Sequence, residues 1–242
     1  MINLNLILVM GRQSFVKMLR SKSENITSLL EFLIIIPLIL FIVSTGIVGN
    51  DFLLRAAVLL LFLNTITLAS SVGMSIIIKR KEGVYREILS SPSSNLSIFI
   101  GLVIGNVIFL FFRNAILLLI MEIFGIGLDF FTFFLLLFAT VAISPVILLI
   151  AIIVSSKIEN VRMLTVSATI FTVSQFILSG ILVSFNELRW IVLNPLAFPA
   201  DLLLFVAGVE TNFPLFIDVL STLFLFVIGY ILANFYFSRI EC

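Results

Sequence analysis

The chain has 242 residues, of which 62% are hydrophobic and 11% charged, with a net charge of +1. Soluble domains carry about 45–50% apolar and about 25% charged residues, so a water-soluble fold is excluded, and the mean hydropathy of +1.32 points to lipid as the solvent. Histidine is absent and the single cysteine is Cys242, which excludes an intrachain disulfide and gives no ligand set for a metal centre.

The first segment, 1–27, is amphipathic. As a helix it places Leu4, Ile7, Leu8, Phe15, Met18 and Leu19 on one face and Gln13, Lys17, Arg20 and Glu24 on the other. That pattern predicts a helix lying in the membrane interface. Its basic residues are interleaved with apolar ones and no short apolar core ending in small residues follows, so it does not read as a cleavable signal. Six apolar runs come next, at 29–48, 52–78, 98–124, 130–154, 164–183 and 213–237. Each matches the roughly 20 residues that a spanning helix needs. The runs are continuously apolar rather than alternating, which selects helices over a barrel. The expected fold is therefore all-α: one polytopic membrane domain, 1–242, of six transmembrane helices.

The charges alternate with the spans. Arg12, Lys17, Arg20 and Lys22 precede the first; Lys79, Arg80, Lys81 and Arg86 follow the second; Lys157 and Arg162 follow the fourth; Arg239 follows the sixth. The opposite side carries Arg55 and Arg189 against Asp51, Asp129, Glu187, Asp201, Glu210 and Asp218. The excess of Lys and Arg on one side predicts that both termini are cytoplasmic.

The cytoplasmic loop 79–97 contains a short helical stretch in which Glu82 and Arg86 stand at i and i+4, a spacing that supports a helical turn. Val84, Ile88 and Leu89 give it an apolar patch and Pro92 ends it. Such an element docks in a partner or serves only to set topology. The stretch 184–212 holds Trp190, Asn194, Pro195, Pro199 and Asp201 among apolar residues. It is too apolar for a solvated loop and too broken by proline for a span, which predicts half-helices dipping into the outer leaflet. Arg113 lies midway along the third span, where a charge is costly and marks a candidate site; Asn64, Asn106, Asn114 and Gln175 are its candidate partners. Glu122 falls near the outer end of the same span. Gly101 and Gly105 form a G-x-x-x-G suited to close helix packing, and Pro37 and Pro145 are expected to kink their helices.

Several of these residues resemble one family. Glu82 and Gly83, then Leu89, Pro92 and Gly101, resemble the coupling-helix pattern of ABC-2 type permeases, and Ser179-Gly180 followed by Asn194-Pro195-Leu196 and Asp201 resembles that family's outer region. The resemblance implies a membrane permease working as a homodimer or as a heterodimer with a second permease. It implies coupling to separate ABC ATPase subunits through Glu82, Gly83, Tyr85, Arg86, Ile88, Leu89 and Pro92. It also implies an outer gate at Ser179, Gly180, Asn194, Pro195 and Asp201, and a place in the cell inner membrane. The chain has no G-x-x-x-x-G-K-[ST] phosphate loop and no nucleophile–base pair. Catalysis in this chain is therefore not expected, nor a cofactor or nucleic acid of its own, with ATP and Mg on the partner subunit. The alternative is a secondary transporter or channel that works without ATP.

Overall fold

The computed structural model describes residues 4–20, 50–83, 95–123, 128–158, 160–182 and 189–237. Among them are seven α-helices and no strand: α1 Leu4–Arg20, α2 Asn50–Lys81, α3 Asn95–Ile123, α4 Phe130–Lys157, α5 Val161–Leu178, α6 Ala197–Val206 and α7 Leu215–Phe237, with a 3-10 turn at Arg189–Leu193. Four helices are long and apolar enough to cross a membrane: Phe52–Lys81, Ile100–Ile123, Phe130–Lys157 and Leu215–Tyr236. They lie where the second, third, fourth and sixth spans were expected. The fifth expected span is the 18-residue α5, which is not one of the four. The first, 29–48, falls outside the described residues together with Glu31 and Pro37.

The 32-residue α2 is the hub. It is almost entirely apolar, and its side chains from Ala56 to Ile66 are buried nearly all round, as a helix surrounded by others requires. It packs against α3, α4, α5 and α6. In contrast, α7 turns Phe216, Leu220, Leu223, Phe224, Val227 and Ile231 outward; with no membrane-depth charge on that face, it suits acyl chains.

Local chemistry sets the helix ends. Asp129 caps α4 by accepting from the backbone N–H groups of Phe131 and Thr132, both at 3.1 Å. Bonds from the Thr132 side chain and backbone hold the Asp129 carboxyl below its ordinary value. A depressed carboxyl contributes when ionised, so this cap operates above the ordinary carboxylate range and is lost as pH falls through the lowered value. Asn160 caps α5 through Arg162 N at 2.9 Å. Inside α4, Pro145 has no N–H for the Val141 carbonyl, and Ser144 Oγ donates to that carbonyl at 2.8 Å instead. A proline is tolerated in a spanning helix on that condition.

The first helix packs on α3. Gly11 lies over the Gly101 carbonyl and Gly105, and a β-carbon on Gly101 would stand 2.7 Å from the Ile7 carbonyl oxygen and 2.8 Å from Met10 Cβ. Further along, Phe15 packs on Phe109 and Phe112 with ring centroids 6.3 and 6.0 Å apart. Residues 7, 11 and 15 thus meet positions progressively later on α3, so the two helices run side by side in the same direction. α1 is thus packed lengthwise on α3. Three glycines let the backbones approach, and this contact buries Ile7 and Met10 while leaving Leu4 and Leu8 exposed.

Replacing Gly101 with valine is expected to pry α1 off α3. The obstructing atom is backbone and cannot rotate away, so the cost is about 1–3 kcal/mol, the usual range for overpacking. Crosslinking of Phe15→Cys to Phe109→Cys by a bifunctional maleimide, in a Cys242→Ser background, checks this: it is expected to proceed readily with Gly101 in place and poorly with the valine.

Candidate functional site

Two ends of the bundle are chemically distinct. At one, α2 and α4 finish and α5 begins. Arg80 spans the join, donating from Nη1 to the Ser156 carbonyl at 2.9 Å and from Nη2 to the Ile158 carbonyl at 2.7 Å. A guanidinium suits this position because it satisfies carbonyls left over at a helix C-terminus. Lys157 sits 4.3 Å over the Tyr236 ring at the end of α7. With Lys79, Lys81 and Arg162 nearby in sequence, this is the basic end.

The residues expected from the sequence to serve coupling begin here. α2 ends through Gly83, whose φ of +74 puts it in the left-handed region that glycine enters without a steric cost. The Gly83 N–H donates to the Arg80 carbonyl at 3.1 Å, and Glu82, exposed, donates its N–H to Ile78 O at 3.0 Å. Glu82 and Gly83 therefore close α2. Tyr85, Arg86, Ile88, Leu89 and Pro92 fall outside the described residues.

The other end is closed by a polar knot, and it contains the sequence-predicted Ser179, Gly180, Asn194 and Asp201. Gln175 and Ser179 bring α5 up to it. Asn194 donates from Nδ2 to Gln175 Oε1 at 2.8 Å and to the Leu178 carbonyl at 2.7 Å, while its Oδ1 accepts from Leu196 N at 3.2 Å. The Asn194 carbonyl accepts from Ala197 N at 3.0 Å, which makes Asn194–Ala197 a turn with Pro195 in the position that suits its fixed φ. That turn launches α6, in which Pro199 falls within the first turn, where its missing N–H does no harm. The ten-residue α6 buries Ala197, Pro199, Ala200, Leu203 and Leu204 yet is far too short to span. Two short helices thus occupy 189–206. Pro195 itself is exposed.

Asp201 ties the knot. Only 1% exposed, its Oδ1 accepts from Asn212 N and Asn212 Nδ2, both at 2.9 Å, and its Oδ2 from Asn212 N and Phe213 N, both at 2.8 Å. The strap 207–214 between α6 and α7 is thereby folded back onto α6. Asn212 Nδ2 also reaches the Gly180 carbonyl at 2.9 Å, joining the end of α5 to the strap. The C-terminus of α6 is sealed by Gly208, φ +72, with Gly208 N donating to Phe205 O and Val209 N to Leu204 O, both at 3.0 Å; this paired pattern satisfies carbonyls that the helix leaves open.

Arg55, Asn212 and Gln175 belong to this cap although the sequence reading gave them no place in it. Arg55, near the start of α2, donates to the Ile181 carbonyl from Nη1 and to the Glu210 carbonyl from Nη2, each at 3.1 Å. The available signal was an arginine, one of two, at the end where acidic residues predominate.

Further polar residues lie between the two ends. Asn64 on α2 and Asn114 on α3 bond to each other, Asn106 donates to Leu102 O at 2.6 Å, and Gln175 serves Asn194. Arg113 is half-buried on α3. Glu122 accepts from Leu128 N at 2.9 Å, fastening the turn from α3 to α4. An apolar chamber of about 210 Å³ lies among α2, α4 and α5, with Ala69, Gly73, Ala151 and Phe171 in its walls and Leu196 of the cap beside them. Its hydroxyls are satisfied within their own helices: Ser70 donates to Ile66 O and Ser167 to Met163 O.

The geometry is that of a multi-pass helical membrane protein with a helical cap knotted to the far end of its hub helix. No curated protein matches the chain. The ABC-2 type transporter family profile matches residues 5–207, from α1 through the end of α6, so the chain belongs to the ABC-2 type transporter family as a membrane transport component.

Proposed function

We propose that this chain is the permease of an ATP-driven exporter, working as two copies or beside a related permease, with separate ATPase subunits supplying ATP and Mg. The basic end faces the cytoplasm of the cell inner membrane, with both termini, and the knotted cap faces outside. The observation that carries the reading is the continuity of α2. Its 32 residues, Asn50–Lys81, about 48 Å at 1.5 Å per residue, run unbroken from the cap, where Arg55 sits, to the turn at Glu82 and Gly83 where the coupling segment begins. A push on Glu82, Gly83, Tyr85, Arg86, Ile88, Leu89 and Pro92 by closing ATPase subunits reaches the Ile181 and Glu210 carbonyls through one rigid element. The cap around Ser179, Gly180, Asn194, Pro195 and Asp201 then acts as the outer gate.

The surface of α5 supports a pathway between two permeases. Unlike α7, its exposed side mixes Thr165, Ser167 and Thr169 with Met163, Val166 and Ile170. Hydroxyl-bearing helix faces pack on other helices in membranes or line a path for cargo. The apolar chamber beside it suits a hydrophobic or amphipathic cargo.

Purification from the native membrane in mild detergent tests the assignment. A stoichiometric soluble ATPase with a phosphate loop is the expected companion, and Glu82→Ala combined with Gly83→Pro is expected to abolish export while leaving membrane insertion intact. A preparation that stays free of any ATPase in lipid nanodiscs, or normal export by the double variant, overturns it in favour of a transporter or channel that works without ATP.

A further inference from the structure

Only residues 158–160 separate α4 from α5, yet the two helices scarcely touch; each packs on α2 instead. The gap between them holds the apolar chamber of about 210 Å³, with the α2 stretch 66–73 as its floor. The directions of the helices give the chamber an axis. α2 and α4 run toward the basic end and α5 runs away from it, so Gly73, Val154 and Leu164 mark the basic side, and Ile66, Phe171 and Leu196 the cap side. Leu196, 1% exposed, closes the cap side. Val154, 38% exposed, and Ser167, also exposed, stand on the flank of the bundle. The chamber therefore opens sideways between α4 and α5, on the surface that meets acyl chains.

The interior suits hydrocarbon. Among the described residues its polar side chains are Ser70 and Ser167, and both hydroxyls donate to carbonyls of their own helices. A buried water needs about two to four polar partners, whereas a dry apolar cavity of about 150 Å³ takes up benzene. In proportion, this chamber accommodates roughly eight carbons. Positive charge lies at its basic side. Lys157 is three residues beyond Val154 and Arg162 two before Leu164, and both are exposed. With Lys79, Arg80 and Lys81 at the end of α2, they outweigh Glu82 and Glu159. Arg80, bonded to the Ser156 and Ile158 carbonyls, fixes a guanidinium at the join of α4 and α5. A basic rim between spanning helices is a setting that holds anionic lipid head groups.

We propose that the cleft between α4 and α5 binds one anionic membrane lipid, with a hydrocarbon chain in the chamber as far as Leu196 and the phosphate at Lys157 and Arg162. A zwitterionic lipid offers the same chain without net charge and binds less. The site lies within one permease and needs neither ATP nor transport, so it stands or falls apart from the exporter reading.

Photolabelling tests the site. The full chain is placed in nanodiscs of phosphatidylcholine containing a small fraction of phosphatidylglycerol with a diazirine near the far end of one acyl chain, and the labelled residues are mapped by peptide mass spectrometry. Bulk lipid reaches the outward side of α7, Phe224 and Val227 included, but not the α2 floor, where Ala69 is 1% exposed. Label on 66–73 is expected, several-fold above that from phosphatidylcholine carrying the same diazirine chain. Ala168→Phe, which fills the chamber from α5, is expected to lower it several-fold while label on α7 stays unchanged; Ala151→Leu serves if that variant does not fold. Lys157→Gln combined with Arg162→Gln is expected to bring the phosphatidylglycerol label down to the phosphatidylcholine level. Absence of label on 66–73, equal label from the two lipids before any substitution, or label that survives filling of the chamber overturns the proposal.

Discussion

Replacing Asp201 with alanine is expected to destabilise the protein by roughly 3 kcal/mol or more and to dismantle the cap. The change strips the acceptor from two backbone N–H groups, of Asn212 and Phe213, and from the Asn212 amide. Each hydrogen bond contributes about 1 kcal/mol net, and three half-buried donors lose their acceptor together. Water cannot repair the loss cheaply, since the carboxylate is 1% exposed. Asn212→Ala is the control. It deletes the amide that bridges Asp201 and the Gly180 carbonyl but leaves both backbone donors on Asp201, so about 1–2 kcal/mol is expected. The two changes touch one network, and the double variant is expected to cost clearly less than their sum. Thermal unfolding in detergent, followed by loss of a monodisperse peak, gives the three values. An Asp201→Ala protein as stable as its parent removes Asp201 from its position as anchor.

How much of this was legible before the structure depends on the range of each interaction. Span-length apolar runs are local, and α2, α3, α4 and α7 fall where those runs predicted. The broken, proline-rich stretch after Ser179 is also a local signal, and two short helices occupy it. The knot is another matter. Arg55 lies 126 residues before Ile181 and 155 before Glu210, and its partners are carbonyls, which every residue has. No side-chain pattern announces such a contact. Asn194, Gly180 and Asp201 were identified through a family pattern, yet Asn212, which completes the network, sits in a polar turn like many others. The orientation of α1 was illegible for a different reason. Helical periodicity tells which side of a helix is apolar and is silent on whether that side meets lipid across the spans or another helix along them. Gly101 and Gly105 signalled a close approach, and only the packing of Gly11 against them identified the partner. The use of the membrane amides followed the same rule: sequence marks Asn64 and Asn114 as costly in lipid but does not show that each is the other's partner.

The sharpest expected contrast is between two glycines that share a backbone conformation. Gly180 and Gly83 both end helices with positive φ, +76 and +74, and a side chain in the left-handed region costs about 1–2 kcal/mol at either. Their surroundings differ. Among the described residues a β-carbon on Gly83 meets nothing within 4 Å, whereas on Gly180 it stands 3.0 Å from Asn212 Nδ2 and 3.1 Å from Ile191 Cγ2. The first neighbour holds the bond between the strap and α5, and the second is a buried side chain of the 3-10 turn; neither gives way without loosening the cap. Gly83→Ala is therefore expected to lose only the conformational term, about 1 kcal/mol. Gly180→Ala adds overpacking of roughly 1–3 kcal/mol and a displaced Asn212, for at least twice the loss. Gly208, φ +72 with open space around it, is a third member expected to behave like Gly83. Unfolding midpoints for the three alanine variants order them as Gly180 far below Gly83 and Gly208. Three equal shifts are the outcome that sinks the argument, because the penalty is then backbone conformation alone and the close packing of the cap on Gly180 contributes nothing.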